Sequence, residues 1–287
     1  MKQPLFTGVC TALVTPFLGG KVNYPMLEIL LRRQMDSGIP AVAVCGTTGE
    51  ASTLTDSEKL EIFQRTKQIC GEKMRVIAGT GSNNTHHAIM LSIAAEKAGA
   101  DALLVVSPYY NKANSQGLFA HYKAINDAVN IPIIVYNVPS RTGVDIPEKV
   151  YAQLSKLPNI AGIKEASASI QKIGKIRQIC DLPIWSGNDN MITPVISLGG
   201  QGVISVLSNV APMETMLMTE AALSGDVDTA ADLHCQLLPL MDALSCDVNP
   251  IPVKAAMKLI GYDCGGCRLP LTELSDDRIA QLKMLLT

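Results

Sequence analysis

Short, nearly uninterrupted apolar runs rich in β-branched residues recur along the chain, spaced by about 20–35 residues, with helical periodicity in most of the gaps. They are Val9–Val14, Ala41–Cys45, Arg75–Ala78, Ala102–Val106, Ile131–Val135, Ile160–Ile163, Leu182–Trp185 and Gly202–Val206. A strand reads as a continuous apolar run when both of its faces are buried, which happens in parallel sheets covered by helices. Amphipathic stretches such as Met26–Ser37, Asp56–Cys70, His86–Ala98 and Ser115–Val129 supply that cover. Eight such strands within about 210 residues predict an α/β fold, a (β/α)8 TIM barrel. An open doubly wound sheet is the rival, but no G-x-G-x-x-G follows the first strand.

After Asn209 the strand pattern stops, and Pro212–Leu223, Asp228–Leu244, Pro252–Leu259 and Ser275–Leu286 have helical periods. The expected organisation is therefore a catalytic barrel over 1–209 and a C-terminal helical extension over 210–287 packed on it. Gly261–Leu271 reads as an irregular link before the last helix.

Composition excludes several functions. Hydrophobic residues make up 47% of the 287, charged residues 17%, and the formal net charge is -2 with both signs interspersed. A basic stripe of the kind that grips nucleic acid is absent, and aromatics at 4% offer no stacking platform. No apolar run approaches membrane-spanning length, and Met1-Lys-Gln-Pro-Leu-Phe-Thr7 has no leader pattern. A cytoplasmic protein with no nucleic-acid or membrane partner is expected, its eight cysteines packed as reduced thiols.

Metal ligation is not expected either. Cys264-Gly-Gly-Cys267 has metal or redox spacing, but no second pair matches it, so a glycine-turned loop is the better reading. His86-His87 lacks a third ligand and follows Ser82-Asn-Asn-Thr85, which reads as a helix N-cap.

In such a barrel the active site lies at the C-terminal ends of the strands. Residues following the predicted strands include Gly46-Thr47-Thr48-Gly49-Glu50, Ser107-Pro-Tyr-Tyr110, Tyr136-Asn-Val-Pro-Ser-Arg141, Lys164-Glu165 and Ser186-Gly-Asn-Asp189. This mouth shows no paired carboxylates and no Ser-His-Asp set. Lys164 instead ends an apolar strand, where burying an ammonium costs several kcal/mol, so an amine held there readily serves as a neutral nucleophile toward a carbonyl carbon. Snorkelling of Lys164 toward an acid is the equally weighted alternative when its strand is read by itself. A phenol, Tyr136, on the neighbouring strand shifts the reading toward imine chemistry, which needs a proton shuttle. Thr47-Thr48 between glycines can offer hydroxyls and open N–H groups to a small carboxylate, although such a turn is also an ordinary strand-to-helix connection.

Gly46-Thr-Thr-Gly-Glu50, Tyr136-Asn-Val-Pro139 and Gly162-Ile-Lys-Glu165 resemble the pyruvate-dependent class I aldolase family that contains the dihydrodipicolinate synthases and N-acetylneuraminate lyases. The resemblance runs from Gly8-Val-Cys-Thr-Ala-Leu-Val-Thr-Pro-Phe17 to Asn249-Pro-Ile-Pro-Val-Lys254 and Leu269-Pro270. It implies that Lys164 forms an imine with pyruvate and that Tyr136 moves protons. Thr47 would relay between Tyr136 and a Tyr110 reaching in from a neighbouring subunit. Thr48 would hold the pyruvate carboxylate, with Gly187 and Ile204 lining the pocket through main-chain atoms.

Arg141 marks the synthases rather than the lyases, and its planar guanidinium suits bidentate recognition of a second carboxylate. The implied reaction is condensation of pyruvate with L-aspartate 4-semialdehyde to 4-hydroxy-tetrahydrodipicolinate, by a homo-oligomer (a dimer of dimers) with no external cofactor. An aldolase cleaving a 2-keto sugar acid is the nearest alternative, and a catalytically silent small-molecule-binding barrel a more distant one.

Within the family, feedback by lysine uses a pocket matching Ala51, Ser52, Asp56, Lys59, Asn83, His87 and Tyr109. Sensitive members carry glutamate at the position of His87 and histidines at those of Asp56 and Lys59. Inhibition by lysine is therefore expected to be weak or absent, because an imidazole replaces the carboxylate that meets the ligand.

Overall fold

The computed structural model describes residues 2–286. Eight parallel strands close into a barrel: β1 Gly8–Ala12, β2 Ala41–Val44, β3 Arg75–Gly79, β4 Ala102–Val106, β5 Ile133–Asn137, β6 Ile160–Glu165, β7 Ile184–Ser186 and β8 Gly202–Ser205. Each strand pairs with its sequence neighbours, and β1 closes the ring against β8 in the register Gly8↔Gly202 to Thr11↔Ser205. Closure is tight at Gly202, where φ is +134° and an added Cβ would lie 1.8 Å from the Gly8 carbonyl oxygen. Glycine alone fits there.

A helix follows each strand: α1 Tyr24–Asp36, α2 Asp56–Cys70, α3 Thr85–Lys97, α4 Ser115–Asn126, α5 Glu148–Leu154, α6 Ile170–Ile179, α7 Ile192–Ser197 and α8 Pro212–Ser224. Five of these helices, α1, α2, α3, α4 and α6, start on a capping side chain. Thr55 and Glu58 form a reciprocal capping box on α2, and the Asn84 side chain accepts from the N–H groups of His86 and His87 at the head of α3. On α1 the spacing of Leu27, Leu30, Leu31 and Gln34 makes one buried face. Each of those leucines contributes roughly 1.5–3 kcal/mol by leaving water. Gln34 is tolerated there because Thr11 Oγ1 donates to its Oε1 at 2.8 Å and its Nε2 donates to the Ser208 carbonyl at 3.1 Å.

The barrel interior is a packed layer, not a pore. Cys10, Ala12, Ala41, Ala43 and Ala102 are small and leave room for Ile134, Trp185 and Ile204. Phe6 stacks on Trp185 with ring centroids 4.7 Å apart and seals the N-terminal end.

Three elements were not anticipated. Residues Phe17–Leu18 and Lys21–Val22 form a small antiparallel hairpin beyond β1, Pro139–Thr142 makes one helical turn beyond β5, and α7 is a six-residue helix containing Pro194. Each is too short to show a period.

Within the segment 210–287, α8 packs against β1, β8 and α7, in the place of an eighth barrel helix. Helices α9 Val227–Leu244, α10 Ile251–Leu259 and α11 Asp276–Leu286 then pack on one another and bring the end of α9 over the barrel mouth. The segment 261–271 has no regular structure. No helix among the described residues is long and apolar enough to cross a membrane.

Candidate active site

A cavity of about 530 Å³ opens at the C-terminal end of the barrel. Its floor and walls include Thr47, Thr48, Tyr136, Arg141, Lys164 and Gly187, with Met241 and Leu244 contributed by α9 and Asn249 by the loop between α9 and α10. Tyr136 and Lys164 are register partners on adjacent strands, so both side chains point into the lumen. Lys164 is only 5% exposed, and its Nζ lies 4.4 Å from the centroid of the Tyr136 ring. Among the described residues it has no ion-pair partner, so it does not snorkel toward an acid. Beneath it the Cys10 thiol is pushed far above its ordinary pKa by burial, which Lys164 only partly opposes, and behaves as a small hydrophobe.

The Thr47-Thr48 turn is held from several sides. Glu50 N–H donates to the Thr47 carbonyl at 3.0 Å, and Thr15 Oγ1 donates to the Gly49 carbonyl at 2.7 Å. The turn passes so close to β3 that a Cβ on Gly79 would sit 2.1 Å from the Cys45 carbonyl oxygen. Below the turn, Lys254 of α10 donates to Glu50 Oε1 at 2.6 Å and to the Gly266 carbonyl at 3.0 Å, while Arg268 N–H donates to Glu50 Oε2 at 2.9 Å. Asn249 Nδ2 donates to Thr48 Oγ1 at 3.0 Å. That bond occupies a lone pair on the hydroxyl and leaves its hydrogen free to donate to a ligand.

Arg141 sits on the one-turn helix after β5, exposed at the rim, with Nη2 donating to the Asn249 carbonyl at 3.2 Å. Gly187 lines the cavity at the end of β7, where an added Cβ would approach the Ala166 Cβ to 2.6 Å. Ile204 is fully buried in the lumen layer below.

Tyr110 is not brought to this set within one chain. It stands 89% exposed on the loop after β4, with a left-handed φ of 72°, and borders neither cavity described here. A second cavity of about 330 Å³ adjoins the first through Thr47 and Tyr136 and is lined by Ala51, Ser52 and Tyr109.

The remaining residues expected to form a regulatory pocket, Asp56, Lys59, Asn83 and His87, line neither cavity. His87 Nε2 and Asp56 Oδ2 are 2.9 Å apart, and His87 Nδ1 lies 3.3 Å from Ser82 Oγ. Lys59 is buried on α2, and the Asn83 carbonyl accepts from Asn111 Nδ2 at 2.9 Å. Cys264 and Cys267 are free thiols, and among the described residues no group of His, Cys, Asp and Glu could hold a metal ion.

Two contributors had no assigned role from the sequence. Asn249 lies 201 residues from Thr48, and only its place in the Asn-Pro-Ile-Pro-Val-Lys motif pointed to it. Asp189 accepts from the N–H groups of Val206 and Leu207 at 3.0 and 2.9 Å, tying the end of β7 to the end of β8. Burial raises its pKa, partly offset by those bonds and by Lys164.

The family model described as the dihydrodipicolinate synthetase family matches residues 5–287. The 4-hydroxy-tetrahydrodipicolinate synthase of Acetivibrio thermocellus is 45% identical, with 100% of this chain and 98% of that protein covered. The enzyme of the same name from Caldicellulosiruptor saccharolyticus is 49% identical, over 99% and 97% of the two chains. Among solved structures, dihydrodipicolinate synthase from Cyanidioschyzon merolae with lysine bound superposes with a TM-score of 0.96 at 40% identity, covering 99% of this chain and 98% of that one.

Proposed function

The chain belongs to the dihydrodipicolinate synthetase family, and from that premise we propose that it condenses pyruvate with L-aspartate 4-semialdehyde through an imine on Lys164. The observation that carries this reading is the buried Lys164 amine, free of any ion-pair partner among the described residues and 4.4 Å from the Tyr136 ring at the floor of the cavity.

The Lys164 amine attacks the ketone carbon of pyruvate, and Tyr136 delivers the proton with which the hydroxyl leaves as water. Thr48, through its hydroxyl and backbone N–H, holds the pyruvate carboxylate. Loss of a methyl proton gives the enamine, whose carbon attacks the aldehyde carbon of the second substrate. Arg141 takes that substrate's carboxylate in a charge-assisted fork. The amine of the newly joined chain then displaces Lys164 by transimination and closes the ring of 4-hydroxy-tetrahydrodipicolinate. Because the lysine supplies the electron sink, no external cofactor is required.

Main-chain atoms of Gly187 and Ile204 complete the pocket. Thr47 relays protons between Tyr136 and the Tyr110 of a neighbouring subunit, for which the cavity beside Thr47 leaves room. The exposure of Tyr110 leaves it available to a neighbouring chain; the assembly we propose is a dimer of dimers working in the cytoplasm.

Borohydride reduction in the presence of pyruvate tests the mechanism. A reduced adduct should map to Lys164 and vanish in Lys164→Ala. Tyr136→Phe should still bind pyruvate while slowing the chemistry by about 10²–10⁴-fold. An adduct on another lysine, or none at saturating pyruvate, would overturn the assignment.

A further inference from the structure

Tyr136 and Lys164 face the lumen, so the next residue on each strand, Asn137 and Glu165, faces outward; these two are also register partners. Both are buried. Asn137 Nδ2 donates to Glu165 Oε1 and Oε2 at 2.9 and 3.1 Å and to Asp145 Oδ1 at 2.8 Å, while its Oδ1 accepts from Ile146 N–H at 3.0 Å. Glu165 accepts further from Ser167 N–H at 2.8 Å and from the Tyr151 hydroxyl at 3.2 Å. Lys172 pairs with Asp145 and donates to the Ile146 carbonyl at 2.8 Å. The last ladder bond between the two strands, from Ala166 N–H to the Asn137 carbonyl at 2.9 Å, lies at the same level. Beyond it the chains part, one into the turn at Pro139–Thr142 and the other toward α6.

We propose that Asn137 is a positioning residue for the imine chemistry: its amide clamps the ends of β5 and β6 from outside the barrel and thereby fixes Tyr136 against Lys164. The proposal rests on the imine reading given above. Asn137 touches no substrate and acts only through the alignment of the two lumen groups. An amide is the chemistry the place requires, since one –NH₂ carries two donors and can serve two carboxylates at once. A carboxylate there would face Asp145 and Glu165 and would need a proton to fit. Misalignment of about 1 Å between reacting groups costs on the order of 10²-fold in rate, so a clamp one residue from both groups has leverage on turnover and little on pyruvate binding.

The test is a cycle in the full-length protein, read by the rate of pyruvate-borohydride trapping at Lys164 and by KM and kcat. Asn137→Asp should slow trapping and kcat by about 10–100-fold with the pyruvate KM changed less than about threefold. The titratable and charged groups facing that position are Asp145 from the preceding loop, Glu165 on β6, Tyr151 on α5 and Lys172 on α6, with Tyr122 on α4 behind Tyr151. Burial already raises the Glu165 pKa, Lys172 opposing it. A shared proton should therefore relieve the variant as pH falls, and its deficit relative to the parent should narrow toward lower pH.

In a Tyr136→Phe background the same substitution should cost less than about threefold, because the group it aligns is gone. Tyr151→Phe removes a buried hydrogen bond but leaves the clamp, and should change kcat less than about twofold. If Asn137→Asp does not fold, Glu165→Gln takes its place in the cycle, with an expected loss of about 3–10-fold. A parent that traps pyruvate while the variant traps equally fast, or a loss that persists undiminished in the Tyr136→Phe background, overturns the positioning role. A parent that traps no pyruvate overturns the imine reading, and this role with it.

Discussion

Lys254→Met removes the cation from a buried pair and leaves the Glu50 carboxylate with the Arg268 N–H and the Cys267 thiol as its hydrogen-bond partners. The two side chains are 3% and 1% exposed, so water cannot take the place of the lost ammonium. Breaking such a pair from one side costs about 3–5 kcal/mol, most of it the stranded charge. For 287 residues the unfolding entropy near 60 °C is about 0.6 kcal/mol/K, which converts that loss into a melting temperature lower by roughly 5–8 °C. Methionine keeps the contact that Lys254 makes over the Phe17 ring, 4.2 Å from its centroid, so the change isolates charge from packing.

Glu50 also braces the turn that carries Thr47 and Thr48, and the pyruvate KM should rise along with the loss of stability. Calorimetry on the parent, the single variant and Lys254→Met/Glu50→Gln decides the argument. Neutralising both partners should recover at least about half of the loss, because the penalty lies in the uncompensated charge. A double variant no more stable than the single would refute that reasoning and assign the cost to packing.

Arg141→Ala should raise KM for aspartate semialdehyde by about 10–150-fold, the worth of a lost charge-assisted contact, with far less effect on pyruvate; steady-state kinetics in both substrates checks it. L-Lysine should inhibit weakly, since the carboxylate of Asp56 is already engaged by His87; half-inhibition well below about 1 mM in a titration at fixed substrates would contradict this. Glu58, held at a pKa of about 2 by hydrogen bonds from Arg268 against an ordinary 4.5, is a depressed carboxylate. Its contribution to stability is full above the ordinary value and lost as pH falls toward 2, so in acid titrations followed by circular dichroism Arg268→Gln should flatten that limb.

The barrel was legible because strands buried on both faces leave unbroken apolar runs, and Ala102–Val106 coincides with β4 residue for residue. The disagreements occur where polarity and pairing part company. β5 and β6 continue through Asn137 and Glu165, polar residues that end an apolar run but stay in the ladder because they satisfy each other. β7 begins only at Ile184, since Pro183 has no N–H to give. Lys164, Tyr136 and the two threonines were readable because each lies at a strand end inside a local motif. Asn249 on Thr48, Lys254 under Glu50 and Asp189 across β8 are contacts between segments far apart in the chain, and no local pattern encodes them.

The stacked plug at the base of the barrel has an optical consequence. Trp185, the only tryptophan in the sequence, is fully buried, is the register partner of Lys164 and donates its Nε1–H to the Phe6 carbonyl at 3.3 Å. Its emission has a single source, in an environment without solvent to blur it. Any event that changes the charge on Lys164 alters the field across that indole. On the proposed mechanism, this single fluorophore on the strand beside Lys164 is expected to report imine formation and release in stopped flow, with neither label nor coupled assay.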